Sequence, residues 1–223
     1  MDDVTDDILR LYDKLPHTGK PRDDEYTVLA AFVATSSSKE TLILSMATGT
    51  KCIGRDMNNS KGFLMSDSHA EVVARRGLIH LLMKQIGSIV LDESFVDTKE
   101  CIVEPHHESD STNVFRIKSN WKISLYISDS PCGDAAMYEA NLSGVSTVVT
   151  GAKAAASAAT ERIGCLRTKS GRSDISAENR TTSMSCSDKI SRWNWLGLQG
   201  YCLTNILLNI HFKTSMSRVS LFD

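Results

Sequence analysis

The chain has 223 residues, 41% hydrophobic and 23% charged, with a formal net charge of −2. That composition suits one globular domain with a sizeable core, and it excludes a disordered chain and a generally basic nucleic-acid binder. No apolar run approaches the ~18 residues of a membrane span, and the acidic start Met1-Asp2-Asp3-Val4 is neither a secretory signal nor an Arg-rich transit peptide.

Residues 5–14 are predicted as a short helix, with Ile8, Leu9 and Leu11 apolar and Leu15-Pro16 as its stop. Residues 19–24 form a loop. Tyr26–Thr35 and Leu42–Ala47 are strand candidates, joined through Ser36-Ser-Ser-Lys-Glu40 as a hairpin turn. Thr48–Lys51 and the Asn/Ser/Gly-rich stretch to Gly62 form a loop. Asp67–Gln85 has helical spacing, with Val73, Ala74, Gly77, Leu81 and Leu82 on one side and Gly87 ending it. Lys122–Ser128 alternates as a strand that runs into Pro131. Cys132–Leu142 suits a helix, Ser146–Thr150 a further core strand, and Ser187–Leu196 a short helix with Asp188 near its start. The order β-β-α-β-α-β implies a sheet covered by helices, an α/β sandwich. No internal repeat is present. Charge is uneven. Residues 92–110 carry seven acids against Lys99 alone, and residues 151–200 carry eight Lys/Arg against four acids. The second stretch reads as solvated surface or as a segment facing an anion.

His69-Ala70-Glu71 opens a helix, and Pro131-Cys132 follows a strand. An imidazole and a thiolate are zinc ligands, and a carboxylate beside them can move protons. His-x-Glu alone is commonly a surface pair on an amphipathic helix. The cysteine supplies a second ligand in the expected structural place and favours a metal site. Both motifs fall at helix N-termini, which suit thiolate charge. The pattern matches the first parts of the H-x-E, P-C-x-x-C signature of zinc nucleobase deaminases, but Ala135 stands where its last cysteine belongs.

A third ligand must then come from Cys52, Cys101, Cys165, Cys186 or Cys202. With no secretory signal, these thiols are read as reduced or metal-bound rather than as disulfides. Cys186 leads, because it lies just ahead of a short helix with Lys189 and Arg192 following, where a thiol pKa is depressed. Any one of the five also suits a small buried hydrophobe. His106-His107 could bind metal, although exposed loop histidines are commoner. Trp121, Trp193 and Trp195 are expected in the core.

Gly49-Thr-Lys-Cys-Ile-Gly54, Ser66-Asp-Ser-His-Ala-Glu71, Ser130-Pro-Cys-Gly-Asp134, Arg167-Thr-Lys-Ser-Gly-Arg172, Arg180 through Ile190, Arg192-Trp-Asn194 and Leu198-Gln-Gly200 together resemble the adenosine-deaminase domain shared by RNA-editing enzymes and tRNA adenosine deaminases. Lys169-Ser-Gly-Arg-Ser-Asp174 and the absence of a double-stranded-RNA-binding module resemble the tRNA branch, which converts the adenosine 3′ of the anticodon to inosine. The resemblance implies a cytidine-deaminase-like α-β-α sandwich with a mixed central sheet. It implies zinc on His69, Cys132 and Cys186, with Glu71 as the catalytic proton shuttle. It implies substrate contacts from Thr50 and Lys51, and tRNA as partner in the nucleus or cytoplasm. It also implies buried inositol hexakisphosphate, with Asp67, Arg75, Arg76, Lys169, Lys189 and Arg192 binding it or relaying to the zinc. Gly171 and Arg172 fall where the family's base-flipping loop lies.

The resemblance is expected to cover residues 5–200, the N-terminal part of the deaminase domain. Residues 201–223 are expected to be a short unrelated tail of a truncated or alternatively spliced product, unstable or inactive alone because half of the polyanion cage is missing. Alternative readings are an inactive zinc- or RNA-binding fragment, or a cytosine or nucleoside deaminase.

Overall fold

The structure is a computed structural model that describes residues 2–18, 20–22, 24–54, 63–91, 100–106, 115–136, 166, 168–169 and 176–216. The chain begins with α1 (Asp2–Lys14), then β1 (Leu29–Ser36), β2 (Thr41–Thr48), β3 (Thr50–Cys52), β4 (Asp67–His69) and α2 (Ala70–Val90). After these come β5 (Val103–Pro105), β6 (Phe115–Ile117), β7 (Trp121–Ile127), α3 (Cys186–Leu196), α4 (Gly200–Leu203) and β8 (Phe212–Met216).

The main sheet has the order β2-β1-β7-β8. β1 pairs antiparallel with both β2 and β7, while β7 and β8 are parallel. The sheet is therefore mixed, as the resemblance implied. β1 reads Leu-Ala-Ala-Phe-Val-Ala, a continuous apolar run, and this suits a strand covered on both faces. Ala30, Phe32 and Ala34 join a core with Ala70, Ala74, Leu78, Leu82 and Ile86 of α2 and with Ile123, Leu125 and Ile127 of β7. Leu29, Ala31 and Val33 join Ile8 and Tyr12 of α1 and Tyr126 on the other face. Each fully buried leucine contributes about 1.5–3 kcal/mol, so α2 is firmly seated. No helix among the described residues is long and apolar enough to cross a membrane.

Helix α2 starts three residues later than its spacing predicts, because Asp67–His69 pairs with Thr50–Cys52 as a short antiparallel ribbon. It also runs through Gly87 rather than ending there. A single helical glycine costs only ~1 kcal/mol, and buried Ile86 and Ser88 hold that turn. Its core face is 70/74/78/82/86, not one that includes Gly77. Gly77 lies against β2, where an added Cβ would stand 3.0 Å from Ser45 Cβ. Ser45 Oγ donates to the Ala74 carbonyl at 2.8 Å beside it.

The segment after Gly200 is integral to this core. Leu203, Leu207 and Ile210 are buried, and the Phe212 ring meets Phe32 edge-on at 5.9 Å. Leu198 N–H donates to the Ile210 carbonyl, and Ile210 N–H donates to Gln199 Oε1, both at 3.1 Å. Residues 201–216, expected as a short tail, thus pack into the core. Of the helix expected over Cys132–Leu142, residues 134–136 are helical. Cys132 and Gly133 form a turn instead. Residues 137–142, the strand over Ser146–Thr150, and Cys165, Arg167, Gly171, Arg172 and His107 lie outside the described residues. Trp193 is buried and Trp121 packs at the core margin, but Trp195 is exposed, contrary to expectation.

Candidate active site

Three backbone devices bring the site together. First, the β3–β4 ribbon sets Thr50 opposite His69 and Cys52 opposite Asp67. Gly49 begins it with φ +149°, and an added Cβ would lie 2.0 Å from the Ser68 carbonyl oxygen, so only glycine fits. Its own carbonyl accepts from Ala70 N–H at 2.9 Å, which anchors the start of α2. His69 is the N-cap residue of that helix. Second, β7 ends at Ile127 and the chain turns through Pro131-Cys132-Gly133. Gly133 has φ +106° and is pressed against Ser185. Third, Ser185 caps α3, its Oγ accepting from Asp188 N–H at 3.2 Å. Ser187 then clasps the turn to the helix. Its N–H donates to the Cys132 carbonyl at 3.0 Å, and its Oγ donates to the Pro131 carbonyl and accepts from Ala135 N–H, both at 3.2 Å. Cys186 is thereby the first residue of α3.

His69 Nδ1 stands 3.5 Å from Cys186 Sγ and 4.0 Å from Cys132 Sγ. All three ligand atoms lie within 4.8 Å of one another, the single such group among the described residues. Bonds of ~2.0–2.3 Å in a tetrahedral zinc site place neighbouring ligand atoms roughly 3.5–3.8 Å apart, so slight contraction fits the ion. Nitrogen and thiolate sulfur are donors that suit zinc, and three protein ligands leave a position open, as in catalytic sites. Cys186 thus brings to the group the second thiol that Ala135 does not supply. His106 is buried and belongs to no such group.

The thiols share one charge. The hydrogen bond to Cys186, set against burial, leaves Cys132 at about 4, with His69 and Lys169 adding to the shift. The same bond and burial push Cys186 up. Cys186 N–H also donates to Cys132 Sγ at 3.2 Å. Burial opposes a charged His69 ring, but hydrogen bonds to Cys132 and Cys52 raise it to about 9. Glu71 is 2% exposed, its Oε2 has no partner, and burial raises its carboxyl above the ordinary range. An acid with one oxygen left unpaired that readily keeps a proton suits proton transfer.

Next to the thiols is a closed network. Lys169 Nζ donates to both Asp67 oxygens at 2.9 and 2.8 Å and to Cys186 Sγ at 3.3 Å. Lys189 also bonds Asp67 Oδ2, and Ser183 Oγ donates to it at 2.8 Å. His69 N–H donates to Asp67 Oδ1 at 3.0 Å. Burial pushes Asp67 up, but the two lysines outweigh it and hold the carboxyl well below its ordinary range. Lys169 is raised because Cys186, Cys132 and Asp67 outweigh its burial.

Arg75 lies apart from this network, its guanidinium 5.0 Å over the Trp193 ring. Its Nε is buried without a partner, and both burial and the charge of Arg192 lower its pKa. Gly200 passes so close that an added Cβ would fall 2.7 Å from Arg75 Nη2. Arg76 and Arg192 are exposed. Thr50 is half-buried on the His69 side of the ribbon, while strand alternation places the exposed Lys51 on the opposite face.

The sequence reading missed the serines around Cys186 and the bond from Cys52 to His69. Ser185-x-x-Asp188 is a capping pattern that could have revealed the first. The second depends on a ribbon that reads as loop.

A histidine and two cysteines beside a buried glutamate, on an α-β-α sandwich, form a group that could hold a metal ion. The adenosine-deaminase (editase) domain profile matches residues 45–221, and the chain belongs to that family. The match continues well past Gly200. The chain is 31% identical over 230 residues to tRNA-specific adenosine deaminase 1 of Drosophila melanogaster, covering 95% of this chain and 53% of that protein. It is 32% identical over 205 residues to tRNA-specific adenosine deaminase 1 of Schizosaccharomyces pombe, covering 86% and 50%. Against the double-stranded RNA-specific adenosine deaminase of Mus musculus, identity is 30% over 222 residues, covering 92% and 18%. The chain thus spans about half the length of the two tRNA deaminases.

Proposed function

We propose that this chain carries the active site of a zinc-dependent deaminase that converts adenosine to inosine in tRNA, beside the anticodon. The observation that carries the reading is the His69–Cys132–Cys186 group with buried Glu71, whose Oε2 has no partner, beside it. The likeness to two tRNA-specific deaminases supports tRNA over duplex RNA.

His69 Nδ1 and the thiolates of Cys132 and Cys186 would hold zinc. When bound, that ion supplies a Lewis acid that brings the pKa of water towards neutrality. Glu71 takes a proton from the attacking water and returns it to the purine ring. The water oxygen adds at C6, and ammonia leaves. Desolvation around Glu71 keeps its basicity high enough to accept that proton at neutral pH. Lys169, bonded to Cys186 and Asp67, stabilises thiolate charge and fixes the α3 ligand. Thr50, beside His69, and Lys51 are assigned to the substrate side.

The half-buried Arg75 with its orphaned Nε, next to Arg192, supports a polyanion at that place, inositol hexakisphosphate by family likeness. Arg75 and Arg192 would hold it directly, with Arg76 at the margin. Asp67, Lys169 and Lys189 occupy the path between it and the zinc ligands.

The test is inosine formation on tRNA and on duplex RNA with Glu71→Gln as control. Removing a general acid–base typically costs 10²–10⁴-fold, so turnover on tRNA should fall by at least that factor while zinc content is unchanged. A Glu71→Gln chain as active as the parent defeats the assignment of Glu71. Deamination of duplex RNA alone defeats the assignment of tRNA.

A further inference from the structure

One aromatic ring at the site's rim has no role so far. Tyr26 is 58% exposed, yet its hydroxyl bonds Asp129 Oδ2. The other oxygen of Asp129 accepts from Ser130 N–H at 2.8 Å, in the turn that leads to Cys132. Two residues after Tyr26, the Val28 carbonyl accepts from Gly49 N–H at 3.1 Å, at the start of the ribbon that carries Thr50 and His69. Leu29 N–H then donates to Ser128 Oγ at 2.9 Å, and Ser128 N–H to the Leu29 carbonyl at 2.9 Å. These bonds tie the Tyr26 segment to both ligand-bearing turns, at one end of the sheet.

The other strongly exposed aromatics are placed differently. Phe63 is 88% exposed and lies six residues before His69, but a phenylalanine has no hydroxyl by which to fix its ring. Trp195 is 83% exposed but lies nine residues along α3 from Cys186, about 13 Å at the helical rise. Tyr201 lies farther along the chain in α4. Tyr26 therefore combines exposure, a fixed hydroxyl and adjacency to the site.

We propose that Tyr26 is an RNA-binding residue whose ring stacks on a nucleobase neighbouring the target adenosine. The inference rests on the RNA-deaminase reading above. An adenosine reached by the site must leave its base stack, and this strips a stacking partner from its neighbour. A ring anchored at its hydroxyl end offers a replacement surface at little entropic cost. It is indifferent to base identity, because every base has a π-face.

The experiment measures tRNA binding, single-turnover deamination and zinc content for the parent chain, Tyr26→Ala and Tyr26→Phe. A 2-aminopurine replaces the base beside the target. Base–aromatic stacking predicts roughly 5- to 150-fold weaker binding for Tyr26→Ala, with unquenched 2-aminopurine, zinc content as in the parent and little change in rate at saturating RNA. Tyr26→Phe keeps the ring and should stay close to the parent in both binding and quenching. Tyr26→Ala binding as the parent does would overturn the proposal. So would Tyr26→Phe as weak as Tyr26→Ala, which assigns the effect to the Asp129 bond, or loss of zinc in Tyr26→Ala, which assigns Tyr26 to the scaffold. A parent chain that binds RNA but forms no inosine defeats the deaminase reading instead and leaves the binding comparison able to decide Tyr26.

Discussion

Two groups of cations lie near the site, and they are solved in opposite ways. Lys169 and Lys189 converge on Asp67, with Ser183 and the His69 amide completing its shell. Arg75 feels the charge of Arg192, and among the described residues the Trp193 ring is what receives the Arg75 guanidinium. A charge taken from water needs a counter-charge or hydrogen bonds. The first group finds them within the chain and is a finished part of the scaffold. The second has an orphaned Nε and like-charge repulsion, and under the proposed reading a bound anion would complete it. Basic residues near an active site are therefore not one class. Their partners separate those that hold the fold from those that hold a ligand.

The largest expected effect breaks the first group. Asp67→Ala leaves buried Lys169 without its carboxylate, and removing one partner of a buried pair costs about 3–5 kcal/mol. Denaturant unfolding should show that loss. A change below ~1 kcal/mol would mean the network is not closed. The pH dependence has a definite sign. The folded Asp67 pKa is depressed, so its stabilisation is complete above the ordinary carboxylate value of ~4 and is lost as pH falls below it through the folded value. Unfolding curves of the parent and Asp67→Asn should separate at pH 6 and converge in acid.

The second group should respond to added anion by a smaller amount. Inositol hexakisphosphate at a hundred times its dissociation constant stabilises by ~2.7 kcal/mol. Thermal unfolding should rise with concentration in the parent, and less in Arg75→Met. An equal rise in both would remove Arg75 from the anion site. The smallest effect is Gly200→Ala. Gly200 has φ +65°, and a left-handed non-glycine residue costs about 1–2 kcal/mol. The added Cβ also crowds Arg75 Nη2, so this variant should shift the anion response as well as stability. Loss of stability with an unchanged anion response would show that Arg75 yields without consequence.

Much of this was legible locally. β1, β2, β7 and α3 have ends within a few residues of their predicted ones, because apolar alternation, helical spacing and the Pro131 and Gly197 stops act over short distances. The site was legible in its residue types, while its membership came from the resemblance and the helix-start position of Cys186 rather than from ligand spacing. Five cysteines competed for one ligand position, and only the fold brings Cys186 to His69 while leaving Cys202 exposed. The β3–β4 ribbon was missed because three-residue strands carry no period. The packing of the stretch after Gly200 was not legible for a related reason. Leu203, Leu207, Ile210 and Phe212 have no regular spacing, and their burial depends on β8 finding the edge of β7 from a distance along the chain.

The separation of the ligands also sets an order of events. His69 and Cys132 are 63 residues apart, and Cys132 and Cys186 a further 54. Joining them requires β1 to meet β7 and α3 to dock, non-local steps that are slow because loop closure comes before any reward. A metal ion therefore cannot nucleate this chain as it does a zinc finger, whose ligands are close in sequence. Under the proposed reading, the ion would arrive at a site that folding has already built. Until then the thiols would be separate and open to oxidants. Whether a newly made chain became loaded would then be a race between closing the sheet and losing Cys132 or Cys186 to oxidation.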